Sequence, residues 1–194
     1  MLGITGGVGA GKSRVLALLE EEFGARIILA DEVARQLQEP GQPGFVRLRD
    51  YFGDGILDKG GRLDRAGLAA RIFEDPAALA AVNGMIHPLV WETIREMVAD
   101  AGAPLAAIES ALFDRRTRSL CQEVWFIDTS DENRISRLMA GRGYTREKCI
   151  SIIRNQKSRE EFLAFCDVVI DNNGSLEAVR RQVRREVRRL TGTE

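Results

Sequence analysis

The chain is expected to fold as an α/β protein, a five-stranded parallel sheet flanked by helices. Five short apolar runs, at 2–5, 26–30, 105–108, 124–127 and 168–170, are mostly continuous rather than alternating, which is the pattern of strands covered on both faces. Helical patterns separate these runs, as parallel strands joined by crossovers require. Asp31, Glu109, Asp128 and Asp171 each follow the end of a run, where an open parallel sheet forms its ligand crevice.

The first run leads into Gly6-Gly7-Val8-Gly9-Ala10-Gly11-Lys12-Ser13, a G-x-x-x-x-G-K-S loop, and then into an amphipathic stretch at 14–23. Strand, glycine loop and helix in this order form a phosphate-binding loop. Glycines let successive backbone N–H groups converge on phosphate oxygens, and the helix turns its positive end to the same anion. Lys12 is then expected to reach the β and γ phosphates. The Ser13 hydroxyl supplies the usual protein ligand of the accompanying Mg²⁺, so the nucleotide and the metal are expected cofactors.

The second run ends at Asp31, immediately before a helical pattern at 32–38. A carboxylate there is placed to orient an attacking hydroxyl for phosphoryl transfer, with Lys12, Mg²⁺ and arginines stabilising the spread negative charge. Asp is also a favoured helix N-cap, so a capping role fits the same position. Residues 39–102 carry little strand character. Pro43 precedes a helix at 45–52, Asp64 can cap 65–73, Asp75-Pro76 opens a further helix, and Pro88 opens a longer one to Ala99. His87, the one histidine, sits before Pro88, which favours an extended residue there; such a residue serves as a structural hydrogen-bonder or a catalyst.

After the fourth run, Thr129 to Glu132 and Ser158 to Glu161 both have capping-box spacing and frame a helical excursion at 131–156. Arg134, Arg137, Arg142 and Arg146 concentrate charge in it, with Arg134 and Arg137 on one face. Arg142, between Gly141 and Gly143, is the preferred lid residue, bringing a guanidinium to the transferring phosphoryl group and excluding water. The expected organisation is a nucleotide-binding core at 1–38, 103–133 and 159–194, a helical acceptor lobe at 39–102, and a lid at 134–158. In the last helix, Val179, Val183, Val187 and Leu190 line one face opposite six arginines between Arg180 and Arg189, which reads as the wet side of a packed helix.

With 28 basic and 29 acidic residues among 194, no global field draws the chain to nucleic acid or an anionic membrane. Small-molecule substrates are the expected partners, and a monomer is favoured. Cys121, Cys149 and Cys166 are odd in number and lack metal-ligand spacing, as expected of reduced thiols in a cytoplasmic protein. No apolar segment reaches the roughly 18 residues of a bilayer span, and no basic leader precedes the loop.

Four segments together resemble the dephospho-coenzyme A kinase family within the P-loop superfamily. They are Ile4 to Ser13; Ala30-Asp31-Glu32-Val33-Ala34-Arg35 with Glu39-Pro40-Gly41; Val82 to Val90, containing Ile86-His87-Pro88; and Val168-Val169-Ile170-Asp171-Asn172-Asn173-Gly174. The first is generic, whereas the other three in this order are specific. The resemblance implies a nucleoside-kinase-like fold and ATP-dependent phosphorylation of the ribose 3′-hydroxyl of dephospho-coenzyme A. It implies Asp31 as the base, Arg35 and His87 on the acceptor side, and Arg142 as the lid arginine facing ATP. It also implies ATP contacts from Gly6 through Arg14 and from Asn172 to Gly174, with the adenine near the latter. Gln156 and Arg159 resemble the segment that follows the family's lid. Two positions depart from the pattern: Ser110-Ala111-Leu112-Phe113-Asp114 stands where a proline-leucine-leucine-phenylalanine-glutamate type segment is usual, and Arg14 where a small hydroxyl residue often follows the serine. The alternatives are a kinase of another small metabolite, or a hydrolase or switch in which Glu109 faces water or metal; no N-K-x-D guanine segment supports the latter.

Overall fold

The computed structural model describes residues 1–100, 102–110, 113 and 118–192. Positions 111–112 and 114 of the departing segment lie outside the described residues. Five strands form one parallel sheet: β1 (Leu2–Thr5), β2 (Arg26–Leu29), β3 (Ala106–Glu109), β4 (Glu123–Asp128) and β5 (Val168–Asp171). Their order is β2-β3-β1-β4-β5. All five expected strands are present, with ends shifted by a residue or so.

β1 is central. Leu2 registers with Ala107 of β3 and with Glu123 of β4, and Leu2 and Ile4 are fully buried. A strand paired on both sides and covered on both faces favours apolar side chains, which explains the run from Leu2 to Ile4; Thr5 at its end is the one polar residue of the strand. β4 in turn pairs β5, with Trp125 opposite Val168 and Asp128 opposite Asp171.

The chain divides into two compact units, Met1–Ile28 with Gly102–Glu194, and Leu29–Ala101. In the first, helix α1 (Lys12–Phe23) starts at Gly11 and stops at Gly24, whose φ of 60° suits a left-handed end. The C-terminal helix of this unit, Leu176–Thr191, packs on α1. Its Val179, Val183 and Val187 are buried. Beside that apolar face Arg180 and Arg184 pair with Glu22 of α1 at 2.8 and 2.6 Å, and Arg189 pairs with Glu123 of β4 at 2.6 Å. The basic stretch is thus partly consumed by ion pairs within the unit.

The second unit is helical: α2 (Ala30–Leu37), α3 (Pro43–Phe52), a 3₁₀ turn (Asp54–Ile56), α4 (Arg65–Glu74) and α5 (Pro76–Ala99). Asp64 and Asp75 cap α4 and α5 as expected, accepting from the N–H groups of Gly67 and of Ala77 and Ala78. The expected helix break at Pro88 is not found: α5 runs through it as a single helix of 24 residues. An internal proline costs about 3 kcal/mol. Ile86, Leu89, Val90 and Ile94 are buried on α5, which packs against α2, α3 and α4, and each such side chain returns about 1.5–3 kcal/mol. His87 therefore lies inside a helix rather than in an extended junction.

Two helices of the first unit form the excursion, α6 (Asp131–Arg142) and α7 (Arg146–Arg154), followed by the short α8 (Arg159–Leu163). The second capping box forms: Ser158 and Glu161 each bond the other's backbone N–H. The first does not. Ser130 caps α6 by accepting from Asn133 N–H, while the Thr129 hydroxyl donates to the Ala10 carbonyl at 2.9 Å. A local spacing rule was overridden because a bond to the glycine loop satisfies that hydroxyl in a buried place. The C-terminal helix Leu176–Thr191 is α9 hereafter.

Candidate active site

The loop Gly6 to Ser13 connects the end of β1 to the first turn of α1, at the carboxyl edge of the sheet. Gly11 has φ 86°, and a Cβ there would meet the Asn172 amide; both facts require glycine. Lys12 Nζ donates to the Gly6 carbonyl at 2.9 Å and faces Glu109 Oε1 at 3.3 Å. Its ammonium is thus held inside the loop, 3.4 Å from the Gly7 carbonyl.

Three elements brace the loop through one atom. The Ala10 carbonyl accepts from Asn172 Nδ2 at 2.7 Å, Thr129 Oγ1 at 2.9 Å and Arg137 Nη1 at 3.2 Å. A carbonyl offers two lone pairs, so the third and longest bond is the weakest. Arg137 Nη2 also donates to the Asn172 carbonyl at 2.7 Å. The ends of β4 and β5 and the second turn of α6 therefore fix the loop together. Burial, and secondarily the like charge of Arg14, lowers the proton affinity of Arg137.

The other limb of the loop is held by Val8. Its N–H donates to Gln156 Oε1 at 3.0 Å, and its carbonyl accepts from Arg134 Nε at 3.0 Å. Arg134 Nη2 donates to the same Gln156 oxygen, and Nη1 pairs with Asp131 at 3.1 Å. The Val8 side chain packs against the small core of Ile135, Leu138 and Cys149 between α6 and α7. A Cβ on Gly7 would collide with Arg134 and crowd Gln156, so this glycine answers to space. Beside it opens a cavity of about 680 Å³ whose wall includes Gly7, Asp128, Arg134, Gln156, Arg159 and Phe162. Arg159 donates to Asp128 at 2.8 Å across it.

Of the residues expected to contact the nucleotide, Gly6 to Ser13 form one continuous loop, and Ser13 and Arg14 are exposed at the start of α1. Asn172 is fully buried behind the loop, Asn173 lines the cavity and Gly174 is exposed. Arg142 is not brought to the loop. It ends α6, exposed, with its guanidinium 6.0 Å from the Tyr144 ring centre. Among the described residues, the guanidinia that hydrogen-bond the loop are those of Arg134 and Arg137, one turn apart on one face of α6. Their shared face was visible in the spacing, but its target was not. Glu109 and Gln156 were visible only as a strand-end acid and as part of a resemblance.

In the second unit Asp31 and Arg35 lie four apart on α2, both exposed, and His87 is exposed on α5. The cap position of α2 is Leu29, with no side-chain cap. Asp31 falls within the first turn, so the capping role expected as an alternative is not taken. Among the described residues its carboxylate has no hydrogen-bond partner. A carboxylate there is still favoured by the positive end of the helix. The far end of α2 is tied by Arg65, which donates to the Arg35 carbonyl at 3.2 Å and to Gln38 and Glu39.

A glycine loop between the central strand and a helix, its lysine inside, on a sheet of this order defines a P-loop nucleotide-binding protein of kinase-like fold. Solved structures share the fold: a Thermus thermophilus protein is 33% identical with a TM-score of 0.83, covering 98% of this chain and 97% of its own. Shikimate kinase from Acinetobacter baumannii, 13% identical over 100% of this chain and 93% of its own, has a TM-score of 0.53 and shows the fold alone. The dephospho-CoA kinase family model matches residues 1–178, and the chain belongs to that family. Dephospho-CoA kinase of Carboxydothermus hydrogenoformans is 36% identical, covering 94% of this chain and 90% of the relative. The Streptomyces avermitilis enzyme of that name is 39% identical, covering 94% and 89%.

Proposed function

We propose that this chain transfers the terminal phosphoryl group of ATP to the ribose 3′-hydroxyl of dephospho-CoA, giving coenzyme A and ADP in the cytoplasm. Its family makes it a kinase acting on dephospho-CoA in coenzyme A biosynthesis. The observation that carries the chemistry is the braced loop with Lys12 held inside it. A glycine loop braced at Val8 and Ala10 with one internal ammonium is preorganised for a polyphosphate, so little reorganisation is needed when charge spreads in the transition state.

The residues take the following roles. Lys12 neutralises charge on the β and γ phosphates, and the loop amides from Gly6 to Arg14 hold them. Ser13, exposed on the first turn of α1, would hold Mg²⁺. Its hydroxyl suits that ion, which takes few protein ligands beside phosphate and water; no group of three or more acidic, histidine or cysteine side chains competes among the described residues. When bound, Mg²⁺ supplies further neutralisation of phosphate charge. Asp31 accepts the proton of the 3′-hydroxyl, with Arg35 and His87 on the acceptor side of a lobe at 39–102. The segment Asn172 to Gly174 passes the adenine, and a lid at 134–158 brings Arg142 toward the phosphates by moving. The protein works as a monomer on small molecules. No described helix is long and apolar enough to cross a membrane.

The test is ADP formation from ATP with dephospho-CoA, with adenosine, with other ribose alcohols and with no acceptor. Only dephospho-CoA should support turnover well above the acceptor-free rate. Equal ADP formation with and without every acceptor would replace this reading by hydrolysis.

A further inference from the structure

The Gln156 side-chain oxygen accepts two hydrogen bonds at once, one from the Val8 backbone N–H and one from the Arg134 guanidinium. A backbone N–H of a glycine loop and an arginine N–H converging on one oxygen is the donor set that proteins direct at phosphate. Here an amide oxygen occupies that position. Lys12 Nζ lies 3.4 Å from the carbonyl of Gly7, the residue next to Val8, so the ammonium and these two donors surround neighbouring points of the loop. Val8 belongs to the limb opposite the start of α1. A polyphosphate with its inner groups at that helix end would turn its outermost group toward the Val8 limb.

We infer that Val8 N–H and Arg134 form a subsite for the outermost phosphate of the nucleotide, and that Gln156 is a placeholder holding both donors until that phosphate arrives. The exchange costs no unpaired donor: one oxygen acceptor replaces another, and the incoming one is charged. Arg134 is already oriented for it. It is 8% exposed, with Nε fixed on the Val8 carbonyl and Nη1 on Asp131. Gln156 lies just past the end of α7, so its release also frees the tail of the α6–α7 pair from the loop. The subsite would distinguish ATP from ADP, because ADP has no group that reaches Val8.

This inference rests on the ATP-dependent kinase reading and is tested separately from it, by ATP and ADP affinities measured by titration calorimetry without acceptor. Arg134→Ala should weaken ATP binding about tenfold or more and leave ADP within about twofold. Gln156→Glu should act in the same direction, since a carboxylate holds Arg134 more firmly and repels phosphate. Gln156→Ala should leave ATP binding as tight as or tighter than in the parent. Arg134→Ala removes three hydrogen bonds from a buried side chain, so Arg134→Lys and Gln156→Glu carry the test if it does not fold. Equal changes for ATP and ADP, or no change in either, overturn the subsite, because a merely structural role moves both nucleotides together. Parent turnover with dephospho-CoA is assayed alongside. Turnover with equal ATP and ADP losses overturns the subsite alone, whereas ATP-selective losses without turnover support the subsite and overturn the acceptor assignment.

Discussion

At the scale of single residues, the roles proposed for Asp31 and Lys12 can be tested by separating binding from chemistry. Asp31 carries no structural bond among the described residues and does not cap α2, so Asp31→Asn should leave ATP affinity and folding intact. Turnover should fall about 100-fold or more, the range of a lost general base; unchanged kcat would remove the base. Lys12→Ala should impair ATP affinity and turnover together, read as a higher Kd and a lower kcat, and it leaves Glu109 without its partner. The cysteines yield a different prediction. Burial pushes the Cys121 and Cys166 thiols up to about 11, so at pH 8 both should react with a disulfide reagent far more slowly than a free thiol, which is partly ionised there. Rapid labelling of either would contradict that burial. The glycine loop that carries Lys12 and Ser13 was legible because its neighbours in sequence are its neighbours in space. Glu109 was not legible as the partner of Lys12, because that pairing exists only once β1 and β3 lie side by side in register.

Elements were legible where the local signal and the packing agree. All five strands were: β1, β3 and β4 because burial on both faces writes a continuous run into the chain, and β2 and β5, partly exposed at the sheet edges, because they too are short apolar runs. Helix α5 was misread because a proline is a local signal and the buried face that outweighs it is assembled by α2, α3 and α4. The same conflict decided Thr129, whose hydroxyl serves the loop rather than its own helix. The helices α6 and α7 meet at Gly143, φ 64°, a left-handed turn that leaves Arg142 at an exposed corner. If the pair moves as a lid, Arg142→Ala should slow transfer and raise the share of ATP lost to water, because closure excludes solvent incompletely. The ratio of coenzyme A formed to ADP formed measures this. An unchanged ratio together with an unchanged rate would leave Arg142 no part in closure.

For the molecule as a whole, the ion pairs of the C-terminal helix contribute to the response to acid. The Arg184 hydrogen bond holds Glu22 below the usual carboxylate range, and that of Arg189 does the same for Glu123, in each case against the opposing effect of burial. A carboxylate depressed in the folded state contributes stability above its unfolded value, about 4.3, and loses it as pH falls through the folded value. The melting temperature should therefore decline below about pH 4.3, and Glu123→Gln should show a shallower decline; parallel curves would discount the pair. Nearest-neighbour chemistry and periodicity determined the α/β class, the phosphate loop, most caps and the amphipathic α9, because each is a property of residues within a few positions of one another. Only the tertiary structure decided which arginines of α6 serve the loop, that Gln156 holds Val8, and that Asn172, Thr129 and Arg137 converge on Ala10. Those contacts join residues more than a hundred positions apart, and no local pattern in a chain encodes which distant carbonyl a buried donor will meet.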